Sequence, residues 1–288
     1  MNVRTWFAMA ISLVSVAAAG QTTPKHMLFR VRGPSGATVY LLGSVHLLDS
    51  AGGALPAVVD SAFSHARTVV FETSLDSVMA RGQELVALAQ YPAGASVETE
   101  YPKADVAKID SLLGAYGIPF AAVRQFKPWF LSLLLEQTVM QRAGFQAQYG
   151  VDEQLDARAK TSSKPVKGLE SVDFQLHLFD SLSPAEQEKM LLESDPPDSA
   201  ARELTRVRGA WLAGDTATLD SALNKSAHES PALWNTLVAS RTKSWVTKIE
   251  AMLNGKDDVL VVVGAGHLVG REGLIALLKA RGYRVEQL

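Results

Sequence analysis

Uninterrupted apolar runs alternate along this chain with runs of helical spacing. Residues 27–31 and 38–42 are short apolar runs parted by GPSG, which predicts a hairpin turning at residues 34–36. The second run has no polar interruption, the pattern of a strand covered on both faces. Residues 55–66 carry helical spacing with Pro56 suited to a first turn, and residues 68–71 form a third strand. From residue 74 to residue 148 the pattern is mostly helical. Residues 75–88 are amphipathic, residues 102–116 are closed by Gly117 and Pro119, and Pro128 opens the apolar helix WFLSLLLEQTVM. A turn at 149–152 leads into a helix at 153–160, and residues 165–168 are a short strand. Helices follow at 172–179, 185–192 and 201–212. A long periodic helix at 233–253 turns Trp234, Leu237, Trp245, Ile249 and Leu253 to its buried side. Residues 257–263, DDVLVVV, are the strongest strand of the chain. A helix at 274–280 and a strand at 283–287 end it.

This alternation predicts an α/β fold with a small, partly parallel central sheet flanked by helices. The opening hairpin makes the sheet mixed, and a helical insertion separates the early strands from the late ones. No repeat or linker divides the chain, so residues 21–288 read as one domain.

Composition changes this picture little. The chain has 288 residues, 47% of them hydrophobic and 20% charged, enough for a real core. A formal net charge of -2 and the lack of a basic cluster argue against nucleic-acid binding. Residues 1–20, MNVRTWFAMAISLVSVAAAG, read as a signal peptide. Arg4 gives a positive start, an apolar stretch follows, and three alanines form a small-residue cleavage site. The competing reading is a membrane anchor. Export with cleavage predicts a periplasmic or secreted protein without a membrane span in its mature chain. No cysteine is present, so disulfides, thiol catalysis and thiolate metal ligands are excluded.

Four polar residues stand just after apolar runs: His46 after VYLLGSV, Glu72 after VVF, Glu170 after KPVKGL and His267 after VLVVVGAG. Ligands of open α/β sheets sit outside the carboxyl ends of the strands. If these strands are parallel neighbours, two imidazoles and two carboxylates converge there. Such a set suits a divalent metal such as zinc, manganese or cobalt, and a carboxylate free of the metal could serve as general base. Both histidines follow strand-G-x-x-H, and Gly43 and Gly264 would let the backbone leave each strand sharply. The plainer alternative is that the histidines cap turns and the carboxylates cap helices. Arg241 could anchor a carboxylate or an oxyanion near the site, or form an ordinary salt bridge on an exposed face. Asp152 reads as a turn or cap residue. His26, His65, His177 and His228 read as structural or solvent-facing. GAGHLVG departs from the dinucleotide fingerprint G-x-G-x-x-G, GSVH is not a G-x-S-x-G elbow, and no H-E-x-x-H is present.

With YLLGSVHLL, VVFE, YGVDEQL, KGLESVDFQ, WLAGD, SRTKSW and VVVGAGHLVGREG in this order, the chain resembles the TraB/GumN family, which is related to the Tiki metalloproteases. The resemblance implies an α/β fold with a small sheet and helical insertions. It implies an active centre of His46, His267 and Glu72. Arg241 matches the family's arginine, although Thr242 follows it where an asparagine is common. The expected function is thus an exported metal-dependent hydrolase, a peptidase. His46, His267 and Glu72 would hold a manganese, cobalt or zinc ion. Glu72 or Glu170 would serve as base, and Arg241 would orient a peptide or small-molecule substrate. The alternative is an envelope protein that binds a peptide or small ligand in the same cleft without turnover.

Overall fold

The computed structural model describes residues 24–50, 52, 54–224 and 229–288. The expected signal peptide and His228 lie outside these residues. Six strands form one sheet: β1 (Leu28–Arg32), β2 (Thr38–Ser44), β3 (Thr68–Phe71), β4 (Val166–Gly168), β5 (Val259–Gly264) and β6 (Val285–Gln287). Their spatial order is β4-β3-β5-β2-β1-β6. β2, β5, β3 and β4 run parallel to one another, and β1 is antiparallel to both β2 and β6. The mixed α/β architecture is the one the apolar runs predict.

β5 lies at the centre because its composition allows little else. Val259 to Val263 are all buried, as expected of a β-branched run covered by helices on both faces. Each such side chain contributes about 1.5–3 kcal/mol on burial. The order also brings the two ends of the chain together, since β2 pairs directly with β5 in a register that sets Ser44 beside Gly264. β3 flanks β5 on its other side, with Phe71 opposite Val262. Four strands therefore end on one edge of the sheet.

Two hydrophobic clusters hold the molecule. The larger surrounds the sheet. The smaller, with Ile109, Leu113, Leu131, Leu135 and Leu191 at its centre, binds together the helices inserted after β3 and β4.

The helices depart from the sequence pattern at several places. The run at 75–88 splits into Leu75–Ala80 and Gly82–Ala89, because Arg81 leaves helical geometry (φ -108°, ψ 17°) and Gly82 follows it. The turn expected at 149–152 is already helix from Val151, within Val151–Thr161. A helix at Thr216–Leu223 has no counterpart in the expected elements. Asp215 caps it by accepting from the amides of Ala217 and Thr218 at 3.1 and 3.0 Å. The long helix expected at 233–253 is a short turn, Pro231–Trp234, a π-helical turn, Asn235–Ala239, and a regular helix, Ser240–Leu253. The π turn ends just before Arg241, and π turns recur at functional positions.

A candidate active site at the strand ends

His46, Glu72, Glu170 and His267 all follow strands whose carboxyl ends share one edge of the sheet. The structure joins three of them, with Arg241, into one hydrogen-bonded network. Arg241 enters from helix Ser240–Leu253 and is only 8% exposed, which overturns the exposed salt-bridge reading. Its Nη2 donates to Glu72 Oε2 at 2.6 Å and to Glu170 Oε2 at 2.8 Å, and its Nε donates to both Glu170 oxygens at 3.1 Å. Nη1 donates to the carbonyl of Leu237 at 3.0 Å, within the π turn. Glu170 also accepts from Trp245 Nε1 at 2.9 Å, and Gln175 Nε2 bridges the two carboxylates at 3.4 and 3.2 Å. The Trp245 ring packs 5.0 Å below the guanidinium and 4.5 Å from the His267 ring. Burial opposes the charge on Arg241, but Glu170 and Glu72 outweigh it, so its pKa is raised.

Hydrogen bonding fixes the state of His267. Thr242 Oγ1 donates to the carbonyl of Val238 at 2.8 Å, so the same oxygen accepts from His267 Nδ1 at 2.7 Å. The network therefore assigns the proton to Nδ1 and makes Nε2 an acceptor, engaged by Arg241 Nη1. That nitrogen lies 4.0 Å from Glu72 Oε1 and 3.4 Å from Arg241 Nη1. Burial lowers the His267 pKa to about 4, with Arg241 and His46 pushing the same way and Glu72 opposing. The imidazole is neutral at pH 7. Burial alone would raise the carboxyl of Glu72. The positive charges of His267, Arg241 and His46 and the amide of Gly264 win, and hold it at about 2. Because His267 is neutral near pH 7, Arg241 is the main cation acting on Glu72 there.

Glu72 Oε1 accepts from the amide of Gly264 at 2.8 Å. Gly264 itself has an ordinary backbone (φ -49°, ψ 136°), so the sharp exit expected of a glycine is not what this position uses. It is close to the carboxylate instead: a Cβ there would lie 3.3 Å from Glu72 Oε1.

His46 stands apart from this network. Its Nδ1 is 3.0 Å from Asp152 Oδ2, and the other Asp152 oxygen accepts from Ser44 Oγ at 3.1 Å. Asp152 is buried and orients a histidine, a role the turn-or-cap reading missed. Gly150 makes the contact possible, since a Cβ there would strike the His46 carbonyl at 2.0 Å. The His46 side chain is 65% exposed, on the floor of a cavity of about 560 Å³. Its pKa is raised to about 9, chiefly by the Asp152 charge and less by their hydrogen bond, against the opposing effect of desolvation. Glu72 and His267 are near enough for the His46 charge to act on both.

The remaining described histidines do nothing comparable. His65 and His177 each bond through Nδ1 to a carbonyl of their own helix, at 2.7 and 2.9 Å. No three His, Asp or Glu side chains among the described residues close on one point as they stand. Both histidines are tethered through Nδ1 and an ionised carboxylate lies beside His267, so His46, His267 and Glu72 are the residues that could hold a divalent ion once His46 gives up its proton.

The TraB/PrgY/gumN family profile matches residues 27–287. The chain belongs to this family. Among curated relatives it is similar to "Uncharacterized protein YbaP" of Escherichia coli (strain K12), 25% identical over 248 residues, 85% of this chain and 89% of the relative. The protein of the same name from Shigella flexneri is 25% identical over 242 residues, 83% and 87% of the two chains. No solved structure matches. Like the ordered motifs, the profile spans nearly all of the described chain. Among the described residues no helix is long and apolar enough to cross a membrane.

Proposed function

We propose that this TraB-family protein is an exported, metal-dependent hydrolase of amide bonds, peptides included. The observation that carries the proposal is the shared tethering of the two histidines. Asp152 holds one Nδ1 and Thr242 the other, which turns each Nε2 away from its tether, with the ionised Glu72 4.0 Å from that of His267. Ligation would release the His46 proton and displace Arg241 Nη1 from His267. Metal-ligating histidines are oriented in this way by a second group. His46, His267 and Glu72 would hold the ion, which when bound supplies a Lewis acid that acidifies water and polarises a carbonyl. Mn, Co and Zn all accept such donors.

The remaining roles fall to the chain's own groups. Arg241, stacked on Trp245, has its N–H groups engaged by Glu72, Glu170, Leu237 and His267, so it would orient the site's carboxylates and imidazole and would reach a substrate only by giving up one of these partners. Glu170 is a positioning residue, since Arg241 and Trp245 engage both its oxygens. Glu72 is held at about 2, so it is ionised at neutral pH and suits ligation better than proton uptake. The leader-like residues 1–20 support export, which N-terminal sequencing of the mature protein checks.

The test is cleavage of a peptide library by purified protein loaded with manganese, cobalt or zinc, beside His46→Ala and His267→Ala. The proposal expects cleavage by the parent protein alone. Equal activity in all three proteins contradicts it. Tight ligand binding without product, surviving metal removal, turns the reading to a non-catalytic binding protein.

A further inference from the structure

The cavity above His46 does not end there. It is bounded on one side by Ser44, His46 and the turn Gly264 to Gly266, and on the other by Leu133, Met140 and Val207. A second cavity of about 360 Å³ shares Glu136, Met140, Leu204, Val207 and Leu223 with the first. The two form one trough between helices Pro128–Arg142 and Pro197–Leu212. Trp211 ties the second helix to the end of β2 by donating to the Gly43 carbonyl at 2.7 Å.

Two properties of the trough select its occupant. Its side walls are helix surfaces, whose backbone groups are satisfied internally. The edges of the sheet are β4 and β6, and neither lines the trough. A peptide laid along it would find no strand edge to pair with, and the part of its backbone facing Leu133, Met140, Leu204, Val207 and Leu223 would lose about 1–3 kcal/mol for each unpaired amide. A hydrocarbon chain has no such groups. The two ends of the trough also differ in the charged residues that line them. His46 stands at the strand end, with Arg208 nearby and already held by Asp49 at 2.8 Å. Glu136 lies where the two cavities meet, and Asp195 and Glu203 line the far one alone. With Arg208 only in the near cavity and Asp195 and Glu203 only in the far one, a carboxyl-derived group is better placed at the strand-end side.

We propose that the trough takes the acyl chain of an N-acylated substrate, with the acyl carbonyl at the His46 end and the amine-bearing part outside. The substrate class rests on the hydrolase reading above; the chain-binding trough does not. Hydrolysis there adds water across the acyl C–N bond, the hydroxyl going to the acyl carbon and the proton to the departing nitrogen.

The test uses the full chain and straight-chain carboxylates of four to twelve carbons as product-like probes, with binding followed by calorimetry below their micelle concentrations. Affinity is expected to rise by up to about fourfold per methylene until the trough is full. Val207→Trp, in a variant whose circular dichroism matches the parent, is expected to weaken the twelve-carbon probe at least about tenfold and to spare the four-carbon probe. Affinity independent of chain length, or tighter binding of an unacylated apolar hexapeptide than of the twelve-carbon probe, overturns the inference. Chain-length-dependent binding without hydrolysis of any N-acyl amide leaves the trough standing and removes the hydrolase reading. Metal-dependent hydrolysis that ignores chain length does the reverse.

Discussion

His46 and His267 come from the same sequence pattern on adjacent parallel strands, yet their environments push them in opposite directions. His46 lies open on a cavity floor, holds a buried carboxylate through Nδ1, and has its pKa raised to about 9. His267 is 7% exposed, gives its Nδ1 proton to a hydroxyl, packs against Trp245, and has its pKa lowered to about 4. The motif sets where each ring emerges. Its chemistry is set by what meets Nδ1 and by how much water reaches the ring. At neutral pH the site thus holds one protonated and one neutral imidazole, separated in pKa by their partners.

The comparison is broken most severely by removing the cation between the carboxylates. Arg241→Met strands Glu72 and Glu170 in a buried site, and is expected to cost about 3–5 kcal/mol in urea unfolding. A loss below about 1 kcal/mol would mean that the network does not hold the strand ends together.

Acid is the next largest lever, and its sign follows from His267. The unfolded chain takes up this proton as pH falls through 6.5, whereas the folded chain resists until about 4. Stability is therefore full above pH 6.5 and falls between 6.5 and 4, by on the order of 3 kcal/mol. His267→Gln should flatten that part of the thermal-melting profile. Glu72 extends the fall, because its contribution is present above 4.5 and lost as pH drops toward about 2. His46 acts on the other side: its contribution is present below 6.5 and lost as pH rises through about 9.

Thr242→Val keeps the shape at that position and removes the acceptor for His267 Nδ1. The buried donor is then unpaired, a loss of about 1–3 kcal/mol. Melting curves unchanged by this substitution would refute the assigned tautomer. Asp152→Asn has the smallest effect on stability, under about 1 kcal/mol, because its partner is exposed. It should bring the His46 pKa back toward 6.5 and lower kcat/KM for an amide substrate by about 10–100-fold.

The strands and the four polar residues after them were legible because each is a local pattern, an apolar run that stops at a polar residue. β5 illustrates this best, with five buried residues in succession followed by the turn that carries His267. The family resemblance implied a centre of His46, His267 and Glu72, whereas the hydrogen bonds join Glu72, Glu170 and His267 through Arg241 and set His46 apart on Asp152. The partners that tune them were not legible. Ser44 and Asp152 are 108 residues apart, and Glu72 and Arg241 are 169 apart. No spacing rule connects such pairs before the sheet order is known. Thr242 left a faint trace, lying next to Arg241 in SRTKSW at the point where the chain departs from the family pattern. The broken helix before it was hidden because its π turn, NTLVA, contains no glycine or proline to mark the break.

The most direct test follows the ring resonances of both histidines by NMR across pH, each assigned from its alanine variant. The account predicts two separated titrations, His267 near pH 4 and His46 near pH 9. Two histidines titrating together near 6.5 would contradict it.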